Sequence, residues 1–180
     1  MLPTPVARTP LHTRQITFSG YARDDGLFDI EAHLVDTKSH PFTAGFRQIA
    51  PGEAIHDLWL RLTVNAELVI QGVEVAMDKH PHPECPEVVP PMSALIGARL
   101  GKGWRKVIDL HLGGLKGCTH YRELLANIGT AAYQSIPGAL LGEDESKPPL
   151  YLGQCKSWDF DGPAVMRHFP KFYKWKPDQA

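Results

Sequence analysis

The run Lys116-Gly117-Cys118-Thr119-His120-Tyr121-Arg122-Glu123-Leu124-Leu125 sets a thiol and an imidazole close together where a helix should begin. Gly113 and Gly114 end whatever precedes it, and Leu124, Leu125, Ile128, Ala131 and Ala132 recur at helical spacing up to about Gln134. Thr119 is the natural N-cap, although no Glu or Gln three residues later completes a capping box. Cys118 then sits at the positive end of the helix. That position lowers a thiol pKa from its usual ~8.5 or favours thiolate ligation of a metal. The competing reading is a buried structural cysteine.

Three other groups of residues carry chemistry. The loop Asp78-Lys79-His80-Pro81-His82-Pro83-Glu84-Cys85-Pro86 holds two histidines and a cysteine among prolines, with Pro86 suited to a first helical turn behind Cys85. Its spacing matches no standard zinc pattern. His56 and Asp57 are adjacent at the start of a strand. Asp29, Glu31 and His33 alternate along one face of another strand, either as a solvated face or as an acid–base strip lining a pocket.

The elements that must position these residues are predicted by period. Arg14 to Tyr21 alternates as a strand, Asp24-Asp25-Gly26 turns the chain, and Leu27 to about Asp36 returns with Phe28, Ile30, Ala32 and Leu34 on the core face. Leu58, Leu60, Leu62 and Val64 point inward on a third strand, with Trp59, Arg61 and Thr63 outward; Asn65-Ala66-Glu67 turns into a fourth from Leu68 to Met77. Residues between Asp36 and Ile55 read as loop. Met92 to Leu100 reads as a short helix, and Trp104 to Leu112 fits a helix or a strand equally. The expected fold is α+β: an antiparallel sheet of at least four strands covered by two or three helices. Residues 1–13 form an extended arm, 14–136 one domain, and 137–149 a Pro/Gly-rich linker. The aromatic and basic tail, 150–180, is expected to pack on the domain or on a partner subunit.

Composition limits the function classes. The chain has 180 residues, 43% of them apolar and 22% charged, with a formal net charge of −1. That balance speaks against electrostatic binding to nucleic acid or to an anionic membrane. No apolar run approaches the ~20 residues that span a bilayer. The opening Met1-Leu2-Pro3-Thr4-Pro5 lacks the pattern of a signal peptide, and 3 dispersed cysteines make no disulfide framework, so a reducing cytoplasm is expected.

Several separated motifs carry a resemblance. Tyr21-Ala22-Arg23-Asp24-Asp25-Gly26, Ile30-Glu31-Ala32-His33-Leu34-Val35-Asp36-Thr37-Lys38, His56-Asp57, Cys85 and Gly117-Cys118-Thr119-His120 with Glu123-Leu124-Leu125 resemble a bacterial family known only as domain of unknown function 2889, over roughly residues 10 to 136. Its members are associated with bacteria that degrade aromatic, lignin-derived compounds. The order of elements from Asp57 onward also resembles the NifU/IscU type of iron–sulfur scaffold, with an N-terminal hairpin added. That likeness implies a centre built from Asp57, Cys85 and Cys118 with zinc or iron as the metal; His56 and His120 are both open as the fourth ligand, His120 being the one carried into the expected set, and the spacing requires neither. The scaffold's cysteine before the aspartate is Ile55 here, and its histidine before the last cysteine is Gly117.

The functional expectation that follows is a cytoplasmic lyase acting on a phenolic, lignin-derived compound. It would break a C–C or C–O bond by acid–base catalysis, with loss of formaldehyde as one outcome and no cofactor required. His33, His56, Asp57, Cys118 and His120 are the candidate catalytic residues, and Tyr21, Asp29, Glu31, Lys38 and Trp59 the candidate substrate contacts. A metal or sulfur carrier and an aromatic acyl-CoA thioesterase are the alternatives. The expected partner is a small aromatic molecule, with a homo-oligomer open and neither nucleic acid nor membrane involved.

Overall fold

Alternation of apolar and polar residues over long stretches drives strand pairing, because only one face of each strand can be buried. The computed structural model describes residues 1–45, 47–138 and 146–176, and the chain divides into two compact units, Met1–Ser135 and Ile136–Ala180. In the first unit β1 (His12–Ala22), β2 (Phe28–Lys38), β5 (Ala54–Val64) and β6 (Ile70–Lys79) form an antiparallel sheet in the order β1-β2-β5-β6. The β1–β2 turn closes with the Arg23 N–H donating to the Leu27 carbonyl at 2.9 Å, and Gly26 takes the left-handed conformation that favours glycine there. Within the expected loop, β3 (Phe42–Ala44) and β4 (Arg47–Ile49) pair as a small second sheet, which buries Ala44 and Ile49 with Ile55. Runs of three residues show no periodicity, so this hairpin is invisible in the sequence.

Two α-helices complete the unit. Trp104–Leu112 resolves as α1, with Trp104, Ile108 and Leu112 buried at a spacing of four. α2 (Thr119–Ser135) lies on one face of the sheet, against β1, β2 and β5. Ile30, Ala32, Leu34, Leu58, Leu60 and Leu62 on the sheet, and Tyr121, Leu124, Leu125 and Ile128 on α2, are at most 1% exposed. Each of the buried Ile and Leu side chains contributes about 1.5–3 kcal/mol relative to exposure. Two polar contacts pin α2: the Tyr121 hydroxyl donates to the Ala76 carbonyl of β6 at 2.7 Å, and Trp104 Nε1–H of α1 donates to the Leu125 carbonyl at 2.7 Å. The expected helix at 92–100 is a 3₁₀ helix, Pro90–Leu95, and Cys85–Val88 forms another behind Glu84. Its prolines lack the N–H groups that a longer ladder needs.

The second unit has its own core of Leu152, Val165 and Phe172, ringed by Tyr151, Trp158, Phe160, Phe169, Tyr173 and Trp175. It contains α3 (Pro163–His168). Most of the expected linker, residues 139–145, and the last residues of the tail, 177–180, lie outside the described residues.

Candidate active site

The parity of β2 decides where the site forms. Ile30, Ala32 and Leu34 face α2, so the next residue of that parity, Asp36, is also carried inward, and its side chain is 3% exposed. A carboxylate at that depth needs charged and hydrogen-bonded partners. It has three on neighbouring strands. Arg14 of β1 donates through Nε to Oδ1 and through Nη2 to Oδ2, both at 2.8 Å, and bridges to Glu123 of α2 at 2.6 Å. His12 Nε2 lies 2.9 Å from Oδ1. His56, directly across from Asp36 on β5, places Nδ1 3.0 Å from Oδ2. Burial raises the Asp36 pKa, but the Arg14 guanidinium, with His12 and His56, outweighs it and holds the carboxyl below its ordinary value.

Asp36 therefore dictates the tautomer of His56. An ionised carboxylate only accepts, so His56 Nδ1 carries the proton and Nε2 keeps its lone pair. Burial, then the neighbouring His120, lowers the His56 pKa to about 4 in spite of Asp36, so the ring is neutral near pH 7. His120 packs on it with ring centroids 3.9 Å apart. His120 Nε2 is 3.8 Å from Asp36 Oδ2, and its Nδ1 is 3.5 Å from Cys118 Sγ.

Cys118, not Thr119, is the N-cap of α2: its carbonyl accepts the first intrahelical bond, from the Arg122 N–H at 3.0 Å. Gly117 allows the approach. A Cβ there would lie 2.4 Å from the Leu112 carbonyl oxygen at the end of α1. Burial pushes the Cys118 thiol up, and the His120 ring with the backbone N–H groups of Tyr121 and His120 brings it below its ordinary value.

These side chains open onto a cavity of about 640 Å³. His56, Gly117, Cys118, Thr119 and His120 form one wall; Leu58 and Met77 form the floor from the sheet; Pro81, His82, Glu84, Cys85 and Val88 close the far side. Asp36 is not part of the wall and lies behind the two rings. The volume suits a ring-sized organic molecule.

Of the expected catalytic residues, the structure brings His56, Cys118 and His120 together, with Cys85 on the same cavity. His33 and Asp57 are elsewhere. Their positions on β2 and β5 have the opposite parity, so they face away from α2, where His33 Nε2 bonds Asp57 Oδ1 at 2.7 Å and stacks on Trp59 at 3.7 Å. The expected centre of Asp57, Cys85, Cys118 and His120 is thus not assembled. Of the expected substrate contacts, Tyr21, Asp29, Glu31 and Trp59 share the outer face, and Lys38 stands at the end of β2. Asp29 accepts from Thr63 Oγ1 at 2.7 Å and Glu31 from Arg61 Nε at 2.9 Å; Tyr21 pairs across from Asp29 and is exposed; Lys38 lies over the Phe42 ring. A depression of about 540 Å³ over Glu31, Trp59, Arg61 and Glu74 is lined by charges already paired with one another.

Residue type and motif spacing do not single out Asp36, Arg14 or His12 as site residues. The signal that identifies Asp36 is its place two residues beyond Leu34, on the buried parity of β2. Asp36, His56 and His120 also present donor atoms within 4.8 Å of one another. For a metal the fit is poor, because both Asp36 oxygens accept from the Arg14 guanidinium, whose positive charge opposes a cation there.

Fold and site thus define an α+β domain with a buried carboxylate, two imidazoles and a thiol on one cavity. The chain belongs to the family described as Protein of unknown function (DUF2889), which it matches over residues 12–134, a span that includes the site from His12 to Glu123. No curated protein and no solved structure matches the chain. The described residues contain no helix long and apolar enough to cross a membrane.

Proposed function

We propose that this domain is a small-molecule lyase that cleaves a C–C or C–O bond of a phenolic, lignin-derived compound by acid–base catalysis. The observation that supports it is His56: a neutral imidazole oriented by a buried carboxylate, on the wall of a largely apolar cavity. A free Nε2 lone pair is what a general base requires, and the Asp36 carboxylate stabilises the imidazolium that forms. Leu58, Met77, Pro81 and Val88 offer apolar surface to an aromatic ring.

The chemistry needs no redox change. The phenol loses its proton to water, and the phenolate expels a benzylic oxygen as leaving group and yields a quinone methide; His120 or Cys118 supplies the proton that the departing oxygen takes. Where a hydroxymethyl group stands on the next carbon, His56 removes its hydroxyl proton. The C–C bond then breaks, formaldehyde departs, and the bonding pair forms a C=C bond while the ring regains its aromaticity as phenolate.

The test is a panel of phenolic dimers with a benzylic ether and a hydroxymethyl group, followed by formaldehyde release and by the ultraviolet band of the conjugated product. We expect turnover by the wild-type chain and a loss of about 100-fold or more in His56→Ala. Wild-type rates in His56→Ala would remove the base and the proposal with it.

A further inference from the structure

The lyase chemistry makes little use of the group most fully prepared for reaction. Cys118 caps α2, accepting at its carbonyl from the Arg122 N–H, and the backbone N–H groups of His120 and Tyr121 in the first turn favour its thiolate. His120 reaches the same sulfur through Nδ1 at 3.5 Å and faces Asp36 through Nε2 at 3.8 Å. Asp36 is in turn fixed by both arms of the Arg14 fork. Sulfur, ring and carboxylate thus follow one another in the order of a nucleophile, its base and the base's orienting group. Neither Asp36 nor Arg14 reaches the cavity wall, whereas Cys118 and His120 both do. Tyr121 does not compete for the sulfur's proton, because its hydroxyl donates to the Ala76 carbonyl.

We infer that Cys118 is a covalent nucleophile and that this cavity takes the thioester of an aromatic or similarly apolar carboxylic acid as a second substrate class. The inference needs the cavity but not the carbon–carbon cleavage. Sγ attacks the thioester carbonyl as its proton passes to His120 Nδ1. The tetrahedral oxyanion collapses, the substrate's C–S bond breaks, and the departing sulfur takes the proton from His120. Water then loses a proton to His120 and attacks the acyl group on Cys118. The acid leaves and Sγ is reprotonated, so one thioester and one water give one acid and one thiol. A thioester suits the site because its leaving thiolate is of the same class as the attacking one, so acyl transfer to Cys118 is nearly balanced; an alkoxide or amide leaving group would need a stronger acid. Leu58, Met77 and Val88 would contact the acyl group.

The test uses the full chain and its three free cysteines, of which Cys155 is exposed and Cys85 and Cys118 are partly covered. The protein is incubated with the benzoyl thioester of N-acetylcysteamine, quenched in acid, digested, and mapped by mass spectrometry for acyl groups at each cysteine over a range of pH. We expect Cys118 to acylate about tenfold or more faster than Cys155, despite its lower exposure, and to reach its plateau rate at lower pH. His120→Ala should slow acylation of Cys118 by about 100-fold and leave that of Cys155 unchanged. His120→Gln, which keeps a polar side chain of similar reach, covers the case in which the alanine variant fails to fold. Labelling that favours Cys155 or Cys85, or a Cys118 rate unchanged in folded His120 variants, would overturn the inference. The acyl label reads the thiol and formaldehyde release reads His56, so either proposal can fail while the other stands.

Discussion

The two faces of the sheet each carry a histidine–aspartate pair bridging β2 and β5, and they differ in what surrounds it. On the helix-covered face Asp36 and His56 are 3% and 15% exposed; on the outer face Asp57 and His33 are 29% and 27% exposed. The inner carboxylate is clamped by Arg14 and shared with His12 and His56, while the outer one bonds His33 alone among the described residues. The inner ring opens onto the large cavity beside a thiol, and the outer ring is stacked flat on Trp59. Identical residue types therefore give two sites of unequal chemical capacity. What separates them is strand parity, which decides which pair loses its water.

The largest expected difference is in stability. Arg14→Ala strips the buried Asp36 of its main partner and should cost about 3–5 kcal/mol in urea unfolding. Asp57→Asn on the outer face should cost about 1 kcal/mol or less, because water replaces the lost partner. Equal costs would abolish the distinction between the faces.

The next difference is in pH dependence. The folded pKa of His56, about 4, lies below the unfolded value near 6.5, so the unfolded chain binds the extra proton between those limits. Stability should fall as pH drops from about 6.5 to about 4, by up to roughly 3 kcal/mol. Asp36, whose folded pKa is depressed, holds its contribution above the unfolded carboxylate range and loses it as pH falls further through the folded value. His56→Phe should flatten the upper limb; thermal denaturation across that range checks it.

Smaller effects sharpen the geometry. Gly117→Ala should cost about 1–3 kcal/mol, because its Cβ meets backbone at the end of α1, and should alter iodoacetamide alkylation of Cys118. Trp59→Ala removes only a half-exposed stacking partner of His33, so its cost should be about 1 kcal/mol. Reversed magnitudes would place the tighter packing on the outer face.

The strand meander could be read from the sequence because Ile30 to Leu34 and Leu58 to Val64 alternate over many residues, and burial demands alternation. α1 could not, since Val107, Ile108, Leu110 and Leu112 satisfy both periods; the packing of Trp104 against α2 decides it. Cys118, His120 and His56 were recognisable by type and setting. The likeness to scaffold proteins points to Asp57 as the carboxylate of the centre, whereas strand parity puts Asp36 there and Asp57 on the outer face. The register that puts Asp36 opposite His56 depends on the 39–53 connection and its small hairpin, and nothing local in those residues announces it.

The most direct measurement sets the faces side by side: formaldehyde release from the phenolic panel by the wild-type chain, His56→Ala and His33→Ala. The expected result is release by the wild type, a loss of about 100-fold or more in His56→Ala, and a rate within about threefold of wild type in His33→Ala. Loss in His33→Ala with His56→Ala intact, or no release from any member of the panel, would contradict the assignment of the chemistry to the helix-covered face.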